Sequence, residues 1–245
     1  MADKTQAAFA ELAKLEIEFE KADLEIAKYS AKLLQPLYEQ RKAIASKIEK
    51  FWPLAIEQLG DEIDQYFTPQ DAELIDFLEA IHLDRDAADP RTFTITFTFK
   101  ENPFLETLVL AKTFSFVPKD IVDGEEEEDS EDITEAGRIM YKSTKVPIVW
   151  KKGKELTAQK PGAPVSFFSF FDWVNDEAGK DVFPKAHEVA VVIADELYPN
   201  AVKLFTEAVN EEDDGEEDEE IDLEDEDDDD DEEEDDEPPK KRVKK

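Results

Sequence analysis

The 245-residue chain has no cysteine, and only two histidines, two methionines and seven glycines. Without cysteine there are no disulfides, thiolate metal sites or thiol nucleophiles, which fits a reducing compartment. The two histidines, His82 and His187, rule out the common zinc patterns, since His187-Glu188 is not followed by a second histidine at the required position. Lys152-Gly153-Lys154 lacks the preceding glycine of a phosphate-binding loop. Acidic runs are present, but they lack the spaced ligands and turn glycine of a calcium loop. No metal site, cofactor or catalytic residue is expected. Long apolar runs are missing too: the longest, Val189 to Ala194, is far too short to span a membrane, and the charged N-terminus has no apolar signal segment. A soluble, non-secreted chain with no membrane partner is expected.

What the chain has in excess is negative charge. Against 29 Lys and Arg stand 65 Asp and Glu, a formal net charge of −36. Of the 27 residues from Glu211 to Glu237, 24 are acidic, leaving 41 acids against 24 bases in residues 1–210. A run with so little apolar surface and so much self-repulsion builds no packed domain, so residues 211–237 read as a disordered acidic tail. Eight of the ten residues 123–132 are also acidic, marking an acidic loop over 123–137. Such a chain repels nucleic acid and attracts strongly basic macromolecules. Behind the tail, Pro238 to Lys245 carries Lys240, Lys241, Arg242, Lys244 and Lys245, the form of a nuclear import signal read by an importin.

Residues 5–52 read as a long helix rich in Ala, Leu, Glu and Lys. Leu12, Phe19, Ile26 and Leu33 recur every seven residues, with Leu15, Ala22 and Tyr29 three after the first three, a coiled-coil seam. The pattern resumes one position out of step at Leu37, Ile44, Ile48 and Phe51, and Pro36 at the slip predicts a kink or short break. A helix of roughly 70 Å exceeds the width of its own domain, so its seam must be covered either by a second copy or by folding back as a hairpin.

After a short helix capped by Thr68 with Pro69 at its first position, Phe93 to Phe99 alternates with threonines as a half-buried strand, and Thr107 to Phe116 forms a second. Ile81–Arg85 and Val146–Trp150 complete an antiparallel sheet of about four strands. Val165–Trp173 and His187–Val209 read as covering helices, Val202 among their apolar positions, and the Phe167 to Trp173 aromatics as core. The fold class is α+β, divided into a long helix (1–52), a mixed domain (53–210), the acidic tail (211–237) and the basic end (238–245).

Several segments, in order, resemble the nucleosome assembly protein family of histone chaperones, nearer its SET branch. They are Leu34 to Arg41 (LQPLYEQR), Lys50-Phe51-Trp52, Glu101-Asn102-Pro103-Phe104, Val149 to Lys154, Ser166-Phe167-Phe168 and Leu197-Tyr198-Pro199-Asn200. Gly179 to Pro184 and the basic end are most similar to compact fungal members that cooperate with a histone acetyltransferase. The resemblance implies a homodimer joined through Leu12, Leu15, Phe19, Ala22, Ile26, Tyr29, Leu33, Leu37 and Ile44, each copy carrying an "earmuff" domain. It also implies core histones, H3–H4 and H2A–H2B, as partners, and a nuclear protein that can shuttle with the cytoplasm. The alternative role is a regulatory partner: cofactor of a histone acetyltransferase, or inhibitor of a phosphatase or acetyltransferase. Candidate histone-binding acids, chosen by neighbourhood, are Asp172, Asp176, Glu177, Asp181, Asp195 and Glu196, with Glu211, Glu212, Asp213 and Asp214 opening the tail.

Overall fold

The computed structural model describes residues 2–60, 63, 65–117, 140–158, 164–175, 182–183 and 186–218. Residues 1–210 form one compact unit and residues 211–245 a second. The acidic loop 123–137, residues 219–237 of the acidic tail and the basic end 238–245 lie outside the described residues.

Helix α1 (Ala2–Ala45) runs through Pro36 without interruption, so of the kink or short break expected there the break does not occur. Proline removes one N–H···O bond from a long helix, and the hydrogen bonds on either side carry it past the gap. The chain turns instead at Lys50, whose left-handed backbone (φ 55°) redirects it into α2 (Phe51–Glu57). Helix α3 (Pro69–Ile75) starts in a capping box: the Thr68 hydroxyl accepts from Asp71 N at 3.2 Å, and Asp71 Oδ2 accepts from Thr68 N at 2.8 Å.

Strands β1 (Leu78–Arg85), β2 (Phe93–Phe99), β3 (Val109–Val117) and β4 (Met140–Ser143) form an antiparallel sheet in chain order. The fourth strand is therefore not Val146–Trp150. Pro147 has no N–H to give a ladder, and this segment crosses to the β2–β3 turn, where Leu105 bridges Trp150 and Glu106 N donates to Val149 O at 2.8 Å. Asn102 shapes that turn, its Oδ1 accepting from Phe104 N and Leu105 N at 2.9 and 2.8 Å.

The threonine alternation in β2 behaves as its period requires: Phe93, Ile95, Phe97 and Phe99 are buried, with the threonines on the opposite face. Onto them pack two turns of 3-10 helix (Phe167–Asp172), in place of the longer helix expected over Val165–Trp173. Its phenylalanines fill both sides of the turn, Phe171 meeting Phe97 edge-on at 5.7 Å and Phe170 meeting Phe114 at 5.2 Å. Helix α4 (Ala186–Val191), a π-helical stretch (Val192–Leu197) and α5 (Tyr198–Asp218) then follow without a gap, burying Val189, Ile193, Leu197 and Tyr198.

Two buried polar groups pin these layers. Asp71, fully buried, also accepts from Phe167 N at 2.9 Å and from the Ser166 hydroxyl, so one carboxylate joins α3 to the 3-10 helix. Lys112, on the inner face of β3, is equally buried and donates to the carbonyls of Thr144, Phe171 and Trp173 at 3.1, 3.1 and 2.7 Å. Burial pulls its ammonium down to about 8, against the opposing pull of Asp172.

Lys112→Met strands the buried carbonyls of Phe171 and Trp173 along with that of Thr144 and should lower unfolding free energy by roughly 2–4 kcal/mol in urea titrations at pH 7. Because the folded value lies below that of the unfolded chain, the native state releases the proton first. The wild-type advantage should therefore grow as pH rises from about 8 toward 10.5. A pH-independent deficit would contradict this account of the buried amine.

Candidate functional site

Helix α1 presents two stripes roughly 100° apart around its axis, as residue spacing on a 3.6-residue turn requires. Ala27, Ala31, Leu34, Tyr38, Arg41 and Ala45 form one, turned toward the domain. Its anchor is aromatic. The Arg41 guanidinium sits 4.4 Å from the Tyr198 ring and 4.7 Å from the Tyr38 ring, with Trp52 5.6 Å away and stacked on Tyr198. Arg41 also donates to the carbonyls of Tyr198 and Pro199 at the start of α5. Burial lowers the guanidinium from its ordinary value and raises the Tyr198 phenol, each partly offset by the other's charge. His82 closes the edge of this joint, with Nε2 3.2 Å from Asp84 and 3.4 Å from Glu39.

The other stripe is the heptad seam. Leu12, Leu15, Phe19, Ile26, Tyr29, Leu33, Leu37 and Ile44 are 44–66% exposed, and Ala22 is exposed beside them. No described element of the same chain covers this row, and α1 does not fold back as a hairpin. A row of eight large apolar side chains exceeds the patches that monomeric surfaces ordinarily carry.

The candidate acids do not form one cluster. Asp172 is bound to Lys145 at 3.1 Å and supports the charge of buried Lys112. Asp195 is paired with Arg85, which also donates to Ala194 O and Pro90 O at 3.1 and 3.0 Å. Both carboxylates thus hold the fold. Glu196 and Glu211 are exposed on the last helices. Asp176, Glu177 and Asp181 lie outside the described residues, as do the side chains of Glu212, Asp213 and Asp214 and all of Lys240, Lys241, Arg242, Lys244 and Lys245.

Two sets of surface residues escape the sequence reading. Glu11, Glu16, Glu18, Asp23 and Glu25 line the exposed N-terminal half of α1 as an acidic border to the seam; their signal was their place between heptad positions. Val202, expected among the packed positions of the last helix, is 53% exposed beside Leu37, Ile44 and Phe205. The apolar arc of α5 is wider than the core it covers, and spacing alone does not mark the surplus.

The arrangement offers binding surfaces. His187 stands against Trp173, 6.2 Å between ring centres, and the polar groups of the cleft at His82 and Arg85 are engaged with one another. Among the described residues no group of three His, Asp or Glu side chains is placed to hold a metal ion.

Comparison with known proteins supplies the context. The family model described as nucleosome assembly protein (NAP) matches residues 45–208. A putative nucleosome assembly protein of Schizosaccharomyces pombe is 40% identical over 206 residues, covering 84% of this chain and 82% of that protein. A crystal structure of a Ccp1 mutant superposes with a TM-score of 0.75 at 37% identity, over 86% of this chain and 99% of the other. The histone chaperone Vps75 shares the fold, with a TM-score of 0.63 at 24% identity over 83% and 98% of the two chains. The segments that carried the resemblance are the joints just described: Tyr38 and Arg41, Phe51 and Trp52, the Asn102 turn, Trp150 and Tyr198. With that joint geometry, the sheet order and the match over residues 45–208 in agreement, the chain belongs to the nucleosome assembly protein family.

Proposed function

We infer that the protein is a histone chaperone that works as a homodimer. The observation that carries this is the family match on a body whose 41 acids face 24 bases, followed by the acidic run from Glu211. Histones are held on DNA by Lys and Arg against phosphate; a polyanionic protein competes for the same side chains, with counterion release and steep salt dependence. It shields them from non-nucleosomal contacts and hands them over where DNA wins. No bond chemistry is involved. H3–H4 and H2A–H2B both fit this chemistry, and an acetyltransferase partner would meet the histones on the same carrier.

Dimerisation through the α1 seam explains why a cysteine-free, soluble-looking helix leaves so many large apolar side chains uncovered. Placing aspartate at both Phe19 and Ile26 would bury four charges per dimer, each costing several kcal/mol. Light scattering at micromolar concentration should then report a monomer; a persistent dimer would place the interface elsewhere.

The acidic run and the body should divide the labour. Deleting residues 211–237 removes 24 acids, and should weaken histone binding about tenfold at low salt and flatten its salt dependence, leaving residual affinity. Since Asp195 is committed to Arg85, the body site is probed at Glu196: Glu196→Lys in the shortened protein should reduce binding further with circular dichroism unchanged. Complete loss on deletion alone would rule out an independent body site.

The basic end serves nuclear entry. Lys241→Ala with Arg242→Ala should abolish nuclear enrichment of a tagged protein while leaving histone binding in vitro intact. Unchanged enrichment would mean that import relies on another segment.

A further inference from the structure

Where α1 leaves the domain, the stripe it turns inward is not fully packed. Leu34 faces the domain yet is 37% exposed, because it borders a cavity of about 360 Å³. The room comes from small side chains: Ala27 and Ala31, one turn apart on the helix, line the cavity and leave it open. The cleft runs roughly 16 Å along α1, from Ala27 to Tyr38. Opposite α1, Leu83 of β1 and Pro90 of the β1–β2 turn give it apolar walls. Its remaining side is the π-helical stretch Val192–Leu197, a rare geometry that recurs at functional sites.

The cleft is preformed. Arg85, which lines it, donates to Pro90 O and Ala194 O and pairs with Asp195, so strand, turn and π-helical stretch are fixed to one another. Both ends carry negative charge. At one, Glu39 and Asp84 flank His82, 3.4 and 3.2 Å from its Nε2. At the other, Asp23 lies one turn before Ala27, and the guanidinium of Arg91 is held charged first by Asp89 and also by Glu20 of α1. The cations nearby are already matched: Arg85 by Asp195, Arg91 by Asp89 at 2.7 Å and Lys28 by Glu25 at 2.8 Å. An apolar cleft between two acidic ends suits neither a polyanion nor a bare hydrocarbon, the first being repelled and the second leaving carboxylates desolvated.

We propose that this cleft takes a basic segment of a histone, one bulky apolar side chain entering between Ala31 and Leu83 while Lys or Arg on either side of it meet the acidic ends. The proposal rests on the histone chaperone reading above and gives its body site a place and a sequence preference. The acidic run past Glu211 attracts any polycation, whereas a cavity of fixed size with charge at both ends selects which stretch of a basic protein is held. The cleft lies on the domain stripe of α1, so pairing of two copies through the seam makes no demand on it.

The cysteine-free chain carries a single probe cleanly. Gln35 is exposed and lines the cleft on the side of α1 turned away from the seam. Gln35→Cys in the full chain is labelled with a benzophenone maleimide and irradiated with H3–H4 or with H2A–H2B. Mass spectrometry should locate the cross-link in a histone stretch that has Lys or Arg on both sides of a bulky apolar residue. Ala31→Leu, which fills the cleft, should weaken histone binding about tenfold at roughly 0.3 M salt, where long-range attraction is screened, with the melting temperature unchanged or raised. Ala31→Ser, which leaves the space, should bind as wild type. Wild-type affinity in Ala31→Leu, or a histone complex that forms without cross-linking, would overturn the proposal; should Ala31→Leu melt early, the cross-link alone decides. Cross-linking between two copies before histone is added would show that the chain covers its own cleft, and would overturn it too. A wild-type chain that binds neither histone pair would remove the chaperone reading itself.

Discussion

The guanidinium of Arg41 lies between the faces of Tyr38 and Tyr198, with Trp52 behind them, and donates to the carbonyls that open α5. One side chain thereby ties the long helix, the helix that follows its turn, and the last helix. Arginine suits this place because its charge is delocalised over a flat group that stacks on rings and still donates in its own plane. Lysine would keep the charge and lose both the stacking and the fork. Everything that α1 does outside the domain depends on this joint, since a seam on a helix is useful only if the helix leaves the domain at a fixed angle. The left-handed turn at Lys50 sets the return path that brings Trp52 back under Tyr198.

A second level of order comes from buried polar groups that are fully partnered. Asp71 and Lys112 carry opposite charges into a core dominated by phenylalanine, and each is surrounded by backbone or hydroxyl partners. Their effect is positional. An all-phenylalanine contact between β2 and the 3-10 helix could slide, because aromatic packing is tolerant of register, whereas three carbonyls converging on one ammonium cannot. The core thus holds the domain still under a surface given over to charge.

That surface divides by chemistry. Apolar exposure is concentrated on α1 and continues onto α5, while acids border it and extend past Glu211. The two do not compete, since desolvating a leucine seam favours self-association and a solvated carboxylate favours basic partners. Asp172 and Asp195 show why proximity on the chain is a poor guide to function in so acidic a protein. Each of these two is paired with a cation of the folded body, Lys145 and Arg85.

The sequence alone determined the elements with a strong period: the long helix, the threonine–phenylalanine strand, the heptad seam and the acidic run. Each is a repeat that needs only local geometry and water to be read. The tertiary structure decided what depends on meeting distant residues. It carried α1 through Pro36, because neighbouring turns compensate one missing hydrogen bond. It moved the fourth strand from Val146–Trp150 to Met140–Ser143, since the segment containing Pro147 finds better partners at the Asn102 turn than a proline can offer a ladder. It left Val202 in solvent beside the seam, and it assigned Asp172 to Lys145 and Asp195 to Arg85. Pairing and exposure are properties of the three-dimensional neighbourhood, and a single chain's spacing carries no record of which acid meets which base.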